Sequence, residues 1–114
     1  MSLEIVLTDY FKSGFKKLSK RHKSLADDLE SFIRELRENP DSGVEIIPHV
    51  RKVRMAIKSK GRGKSGGARV ITYDAYVSEK NGTLYLVLIY DKANTDNVKK
   101  NVIEDIIKNI PQSE

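Results

Sequence analysis

Cysteine and tryptophan are absent from the chain, and proline occurs three times. Without cysteine there is neither a disulfide framework nor a thiolate metal site, as expected of a cytoplasmic protein. Without tryptophan, and with aromatic residues at 7%, the core has to be largely aliphatic. Long hydrophobic runs are missing too. The longest, Leu84 to Tyr90, has seven residues, against the roughly 20 that a membrane-spanning helix needs. The opening MSLEIVLTDY has no basic segment followed by a long apolar one, so no signal peptide is read there. These absences exclude a disulfide-stapled secreted domain and a membrane partner, and they give no sign of a cofactor. The length, 114 residues, suits one domain spanning 1–114.

What is abundant is positive charge, unevenly placed. Residues 51–69, RKVRMAIKSKGRGKSGGAR, contain Arg51, Lys52, Arg54, Lys58, Lys60, Arg62, Lys64 and Arg69, with no acidic residue among them. The whole chain carries +5, so everything outside this +8 stretch is net −3. Four of the seven glycines, Gly61, Gly63, Gly66 and Gly67, lie in the same stretch. Such a concentration points to a phosphate-rich partner. The competing reading is a solvated basic loop, and the flanking patterns decide between them.

LEIVLT, residues 3–8, alternates as a first strand. Thr8 or Asp9 can cap a helix with Phe11, Phe15 and Leu18 on one face, in which Gly14 costs about 1 kcal/mol relative to alanine. Ser24 opens a second helix, with Asp27 completing an approximate capping box. Its stripe is Leu25, Leu29, Phe32, Ile33 and Leu36; Asp27, Asp28 and Glu30 fall on its solvent side, and Asn39-Pro40 ends it. Residues 41–49 read as a connection. From Val50 to Lys58 the period becomes two, with Val53, Met55 and Ile57 on one side and Lys52, Arg54 and Lys58 on the other, successive members about 7 Å apart. The glycine-rich loop 59–67 turns the chain into ARVITYDAYV, residues 68–77. Asn81-Gly82 is a hairpin turn signal. TLYLVLIYD, residues 83–91, is apolar on both faces and therefore an interior strand. Asn94, Thr95 or Asp96 caps a last helix with stripe Val98, Val102, Ile103, Ile106, Ile107 and Ile110, ended by Pro111. The expected order is β-α-α-β-β-β-α, an α+β fold with two N-terminal helices and a C-terminal helix on a mostly antiparallel four-stranded sheet.

GRGKSGG invites a nucleotide-loop reading and fails it. The phosphate-loop pattern needs a glycine five residues before Gly63, where Lys58 stands, and the loop joins strands rather than opening a helix. His22 and His49 have no second histidine or carboxylate at ligand spacing, so no metal site is expected; His49 is open to acid–base work, with a surface or edge histidine as the preferred reading. Tyr73, Tyr76, Tyr85 and Tyr90 read as strand packing. The cations remain. Lys52, Arg54 and Lys58 share a strand face, Arg69 starts the next strand, and Lys92 ends the last one, where antiparallel pairing brings it towards Arg69. Alternation groups Arg69 with Ile71 and Tyr73, so Gly66-Gly67 or a bulge is needed to aim it at the others. Such a cluster can hold phosphates around a scissile bond and stabilise the charge built up when a 2′-OH attacks its own phosphodiester, which requires no metal.

RKVRMAIKSKGRGKSGGARVITY followed by LYLVLIYDKANTDN resembles the RelE/ParE superfamily of toxins, and most of all its HigB-type branch. The shared features are K/R-x-R on a strand, a basic glycine loop ending GG-x-R, and a strand ending Y-x-K. The resemblance implies a RelE-like α+β toxin of a type II toxin–antitoxin pair, which enters the ribosome and cuts mRNA and is neutralised by a cognate antitoxin, with operator DNA bound only by the toxin–antitoxin complex. By position it implies catalytic roles for Arg54, Arg69 and Lys92: the arginines bind the scissile phosphate and Lys92 assists charge or proton transfer. Lys52, Lys58, Lys60, Arg62 and Lys64 would bind RNA. Some relatives carry a catalytic tyrosine in the last helix; Lys99 stands near that place here, and Asn94 replaces an acidic residue that often follows Y-x-K. Two other readings stay open: a DNA gyrase inhibitor like the ParE branch, and a non-catalytic basic nucleic-acid-binding module.

Overall fold

Thr8 begins the first helix as expected, and the reason is visible at its hydroxyl. Thr8 Oγ1 accepts from the Phe11 N–H at 3.1 Å and itself donates to the carbonyls of Leu86 and Val87. One side chain therefore caps the helix and fastens it to the sheet. In this computed structural model, residues 2–76, 81–93 and 98–110 are described. The elements are β1 (Ser2–Leu7), α1 (Asp9–Ser19), α2 (Leu25–Glu38), β2 (Val44–Ile47), β3 (Val50–Met55), a 3-10 turn (Lys58–Lys60), β4 (Ala68–Tyr76), β5 (Asn81–Asp91) and α3 (Lys100–Lys108).

The sheet has five strands in the order β1-β5-β4-β3-β2, with β1 parallel to β5 and every other pair antiparallel. The expected α+β order holds, with one strand added. That strand, β2, has only four residues, VEII, and its first half is exposed, Val44 by 67%. It pairs with β3 no further than Val44 opposite Lys52. Val53, Arg54 and Met55 therefore have no described strand outside them.

Helices cover both faces, because β5 is apolar on both. On one face Leu84, Leu86 and Ile89 of β5 join Val53, Met55, Ala68 and Val70 under Phe11 and Leu18 of α1 and Leu25, Leu29, Phe32 and Leu36 of α2. On the other, Val87 and Tyr90 join Val50 and Ile71 under Ile103, Ile106 and Ile110. Gly14 lies where a Cβ would stand 3.1 Å from the Ile89 carbonyl, so its helix-propensity cost is the condition for α1 to sit close on β5. No helix among the described residues is long and apolar enough to cross a membrane.

Two boundaries depart from the sequence reading. Asn81 and Gly82 lie inside β5, opposite Ser2 and Leu3 of β1, with Gly82 also opposite Tyr76, rather than forming the hairpin turn. The residues between β4 and β5, 77–80, lie outside the described residues. So do Asn94, Thr95 and Asp96, expected to cap the last helix, and Pro111, expected to end it; the N-cap position of α3 is Lys99, without a side-chain cap bond. Ser24 makes no cap bond either, and its hydroxyl does something else, described below.

Gly67 is the most closely approached of the glycines. A Cβ there would stand 2.2 Å from the Met55 carbonyl oxygen and 3.0 Å from the Ile57 nitrogen. Backbone cannot yield as a flexible side chain would. Gly67→Ala is therefore expected to destabilise the fold by about 2 kcal/mol or more, read from chemical denaturation beside the wild-type chain.

Candidate functional site

Strand pairing sets the site. Arg54 of β3 lies opposite Arg69 of β4, and Arg69 lies opposite Tyr90 of β5. Directly opposed residues share a face with Cβ atoms about 5 Å apart, so two arginines and a tyrosine form one row across three strands. Lys52 sits two residues from Arg54 on the same face, opposite Ile71. The Lys92 N–H donates to the Gly67 carbonyl at 3.2 Å, which ties the turn that follows β5 to the start of β4. No glycine kink is needed to aim Arg69. Regular register puts it with Arg54, and the irregularity in the β4–β5 pairing comes later, between Ile71 and Thr72.

Like charges directly opposite each other on a sheet repel. Arg54 is exposed and makes no ion pair among the described residues. Arg69 is only 7% exposed. Its Nη1 donates to the carbonyls of Lys64 (3.4 Å) and Ala68 (3.2 Å), and its Nη2 to that of Ser65 (3.1 Å). These acceptors orient the guanidinium without neutralising it, and they make Arg69 the tie that shapes the end of the glycine loop. Beside it, burial pushes the Tyr90 phenol up from its ordinary pKa, and the Arg69 charge pulls it partly back. An anion above this row would relieve the repulsion between the two guanidinium groups.

Lys58 does not share the strand face. β3 stops at Met55 and the chain enters the 3-10 turn, because the start of α2 holds it there. Asp28 Oδ2 accepts from the Lys58 N–H at 3.1 Å and from the Ser24 hydroxyl at 2.6 Å, and Ser24 Oγ accepts from the Ser59 N–H at 2.9 Å. Asp28 is accordingly not on the solvent side of its helix; it is 3% exposed. The helical stripe contains the signal for this, since 28 falls three residues after Leu25 and four before Phe32.

The remaining cations divide. Arg62 is exposed and unpaired among the described residues. Lys64 pairs with Glu35 of α2 at 2.9 Å, both side chains more than half exposed, an interaction worth about 1 kcal/mol or less. Lys60 is turned inward: its Nζ donates to Asp91 Oδ1 at 2.8 Å. His49 lies beyond the far end of β3 from Arg54, exposed, at positive φ (68°). Tyr73 and Tyr85 stack on each other with centroids 6.0 Å apart.

Asp91 is what sequence reasoning missed. It points to the face opposite Tyr90 and is 5% exposed. His22 Nε2 lies 3.0 Å from its Oδ2, while Lys60 Nζ and the Ala93 N–H (2.9 Å) donate to its Oδ1. His22 therefore does have a carboxylate neighbour, brought from the other end of the chain. Burial alone would raise the Asp91 pKa; the hydrogen bonds from Lys60, Ala93 and His22, with the Lys60 charge, outweigh it and hold the carboxyl below its ordinary value. No group of three or more His, Cys, Asp or Glu residues suited to a metal ion occurs among the described residues.

No protein-family model matches the chain. Among solved structures, it is similar to the E. coli toxin RelE, solved as a double mutant in the free state. The match covers 97% of this chain and 100% of that one, at 13% sequence identity and a TM-score of 0.56. The fold is RelE-like. At that identity the likeness concerns the path of the backbone, and the side chains of the row carry their own argument.

Proposed function

We propose that this RelE-like chain is the toxin of a toxin–antitoxin pair and a ribosome-dependent mRNA endonuclease, of the HigB-type branch. The observation that carries the reading is the cross-strand pair of Arg54 and Arg69, two like charges held opposite each other with no ion pair to a carboxylate among the described residues. A phosphodiester is the natural occupant of that space. The 2′-OH of the preceding ribose would attack phosphorus, forming the O2′–P bond and breaking P–O5′, with the 2′-OH proton passing in net to O5′, to leave a 2′,3′-cyclic phosphate and a 5′-OH. The arginines would stabilise charge on the equatorial oxygens, and Lys92 the departing O5′. Tyr90, its phenol largely buried, would wall the site. Lys52, Lys58, Arg62 and Lys64 would follow the RNA backbone through phosphate contacts, whereas Lys60 would act from within the fold. A cognate antitoxin would silence the toxin by laying an acidic or amphipathic helix over the row.

The test is to map mRNA 5′ ends in a translation reaction with and without ribosomes, using wild-type chain and Arg54→Ala. Ribosome-dependent cuts that slow about a hundredfold in the variant, with unchanged thermal stability, are the expected result. Arg54 is exposed and unpaired, so its removal should touch activity alone. Intact mRNA accompanied by trapped, cleaved gyrase–DNA complexes would replace this reading with gyrase inhibition.

A further inference from the structure

The basic stretch 51–69 has a counterpart on α1. Residues 12–23, KSGFKKLSKRHK, hold six basic residues and no acidic one, so the two stretches together leave −9 for the rest of a chain of +5. Phe11, Gly14 and Leu18 press α1 onto the sheet. At about 100° per residue, the outward face then carries Lys12, Ser13, Lys16 and Lys20, all of them exposed. The three lysines follow one another at i, i+4 spacing, about 6 Å per step along the axis. Like charges at that spacing destabilise a helix, and none of the three has an ion pair among the described residues. α2 is built otherwise: Arg34 pairs with Glu30, and Glu35 with Lys64. The helix dipole accounts for Asp9 at the start of α1 and for Lys16 and Lys20 at its end, but not for Lys12.

We infer that the outward face of α1 is a second RNA interface, which grips the phosphate backbone of a base-paired RNA rather than the strand that is cut. α1 packs on the sheet face of Leu84, Leu86 and Ile89, whereas the row of Arg54 and Arg69 shares the other face with Tyr90. A strand lying on the row therefore leaves the α1 face free for a different RNA segment. Lysine ammonium groups meet phosphates as point charges, which position a partner without reading its bases. Sites for single strands add aromatic platforms for stacking; Tyr10, the exposed aromatic of α1, stands on the flank of this face and not among the three lysines. An acidic protein fits less well, because the face has no apolar residue to form an interface core. A bilayer fits less well too, because the apolar side of α1 is already buried on the sheet and cannot enter lipid. The inference rests on the mRNA-cleaving reading for its setting: folded RNA held on one side and the cut strand on the other would make cleavage depend on the ribosome.

The test is binding to RNA that the chain need not cut. An RNA duplex of about 20 base pairs and a single strand of the same length are titrated with the full chain over a series of salt concentrations, beside phosphatidylglycerol vesicles. The variant is Lys12→Gln/Lys16→Gln/Lys20→Gln. A charge-matched control, Arg34→Gln/Lys100→Gln/Lys108→Gln, removes three exposed cations elsewhere. The α1 variant is expected to bind duplex about tenfold or more weaker, with the slope of log affinity against log salt reduced by about three, one per lost phosphate contact. Its single-strand binding, held by residues 51–69, and the control's duplex binding should change by less than about twofold. Equal slope losses in variant and control, or on duplex and single strand, would overturn the proposal. So would loss of vesicle binding with duplex binding intact. The variant should melt no earlier than wild type, since it loses repulsion. Should it melt early, Lys12→Gln alone, clear of the last turn, is the second variant, with a slope loss of about one expected; no loss there would likewise overturn the proposal. Duplex binding through α1 in a chain that cuts no mRNA would sink only the enzymatic reading. Ribosome-dependent cleavage without duplex binding through α1 would sink only this one.

Discussion

Arg69→Ala is expected to lose mRNA cleavage by about 10²–10³-fold and to lose stability with it. The two losses have different origins. On the proposed reading, cleavage falls because one of the two guanidinium groups that would face the phosphate is gone. Stability falls because the same side chain, 7% exposed, donates to the carbonyls of Lys64, Ser65 and Ala68; alanine leaves those acceptors at the loop end without it, at about 1–3 kcal/mol. The comparison with Arg54→Ala is what makes the result informative. Arg54 lies directly opposite but is exposed and bonded to nothing described, so its variant should separate the two effects. Equal destabilisation by both variants in a urea titration would contradict this division. Arg69→Lys should restore neither function fully, since an ammonium cannot reach three carbonyls from one plane.

Asp91→Ala is expected to cost about 3 kcal/mol, the cost of removing one partner from a buried ion pair. Lys60, 13% exposed at its side chain, would be left with a charge and no carboxylate, and His22 and the Ala93 N–H would lose their acceptor. The consequence reaches the site, because Lys92 follows Asp91 directly and the Asp91–Ala93 bond holds the turn in which Lys92 sits. Cleavage should therefore drop although Asp91 itself lies on the opposite face. The pH dependence is part of the same prediction. Asp91 has its folded pKa lowered, so its stabilisation is complete above the unfolded carboxylate value, about 3.9, and disappears as pH falls through the folded value. Denaturation midpoints of wild type should decline on acidification below about pH 4, and Asp91→Asn should decline less over the same window. Parallel curves for the two chains would refute the role given to Asp91.

Some of the architecture was legible in local pattern. The stripe Leu25, Leu29, Phe32 and Leu36 became the buried face of α2, and the two-sided apolarity of β5 foretold its interior position. β2 was not legible: VEII is short, half exposed and followed at once by Pro48. Asp28 was read as solvent-facing because acidic residues near a helix start are commonly there for the macrodipole. Its phase on the stripe said otherwise, but only a partner across the fold, the Lys58 N–H, makes a buried carboxylate at that phase tolerable. Lys58 was misplaced for the same reason, since alternation continues on paper through Ala56 and Ile57 while Asp28 and Ser24 bend the chain away.

Composition and periodicity alone determined that this chain has an aliphatic core, that its helices and most of its strands fall where they do, and that its positive charge is gathered around a glycine loop. Those properties depend on neighbours within a few residues. Tertiary structure decided the rest: that Arg54, Arg69 and Tyr90 form one row, that Lys60 and His22 meet on Asp91, and that Asp28 and Arg54 line one cavity. Each of these joins residues 15 or more positions apart, through strand register and helix docking, and the energies that choose a register come from faces meeting across the fold.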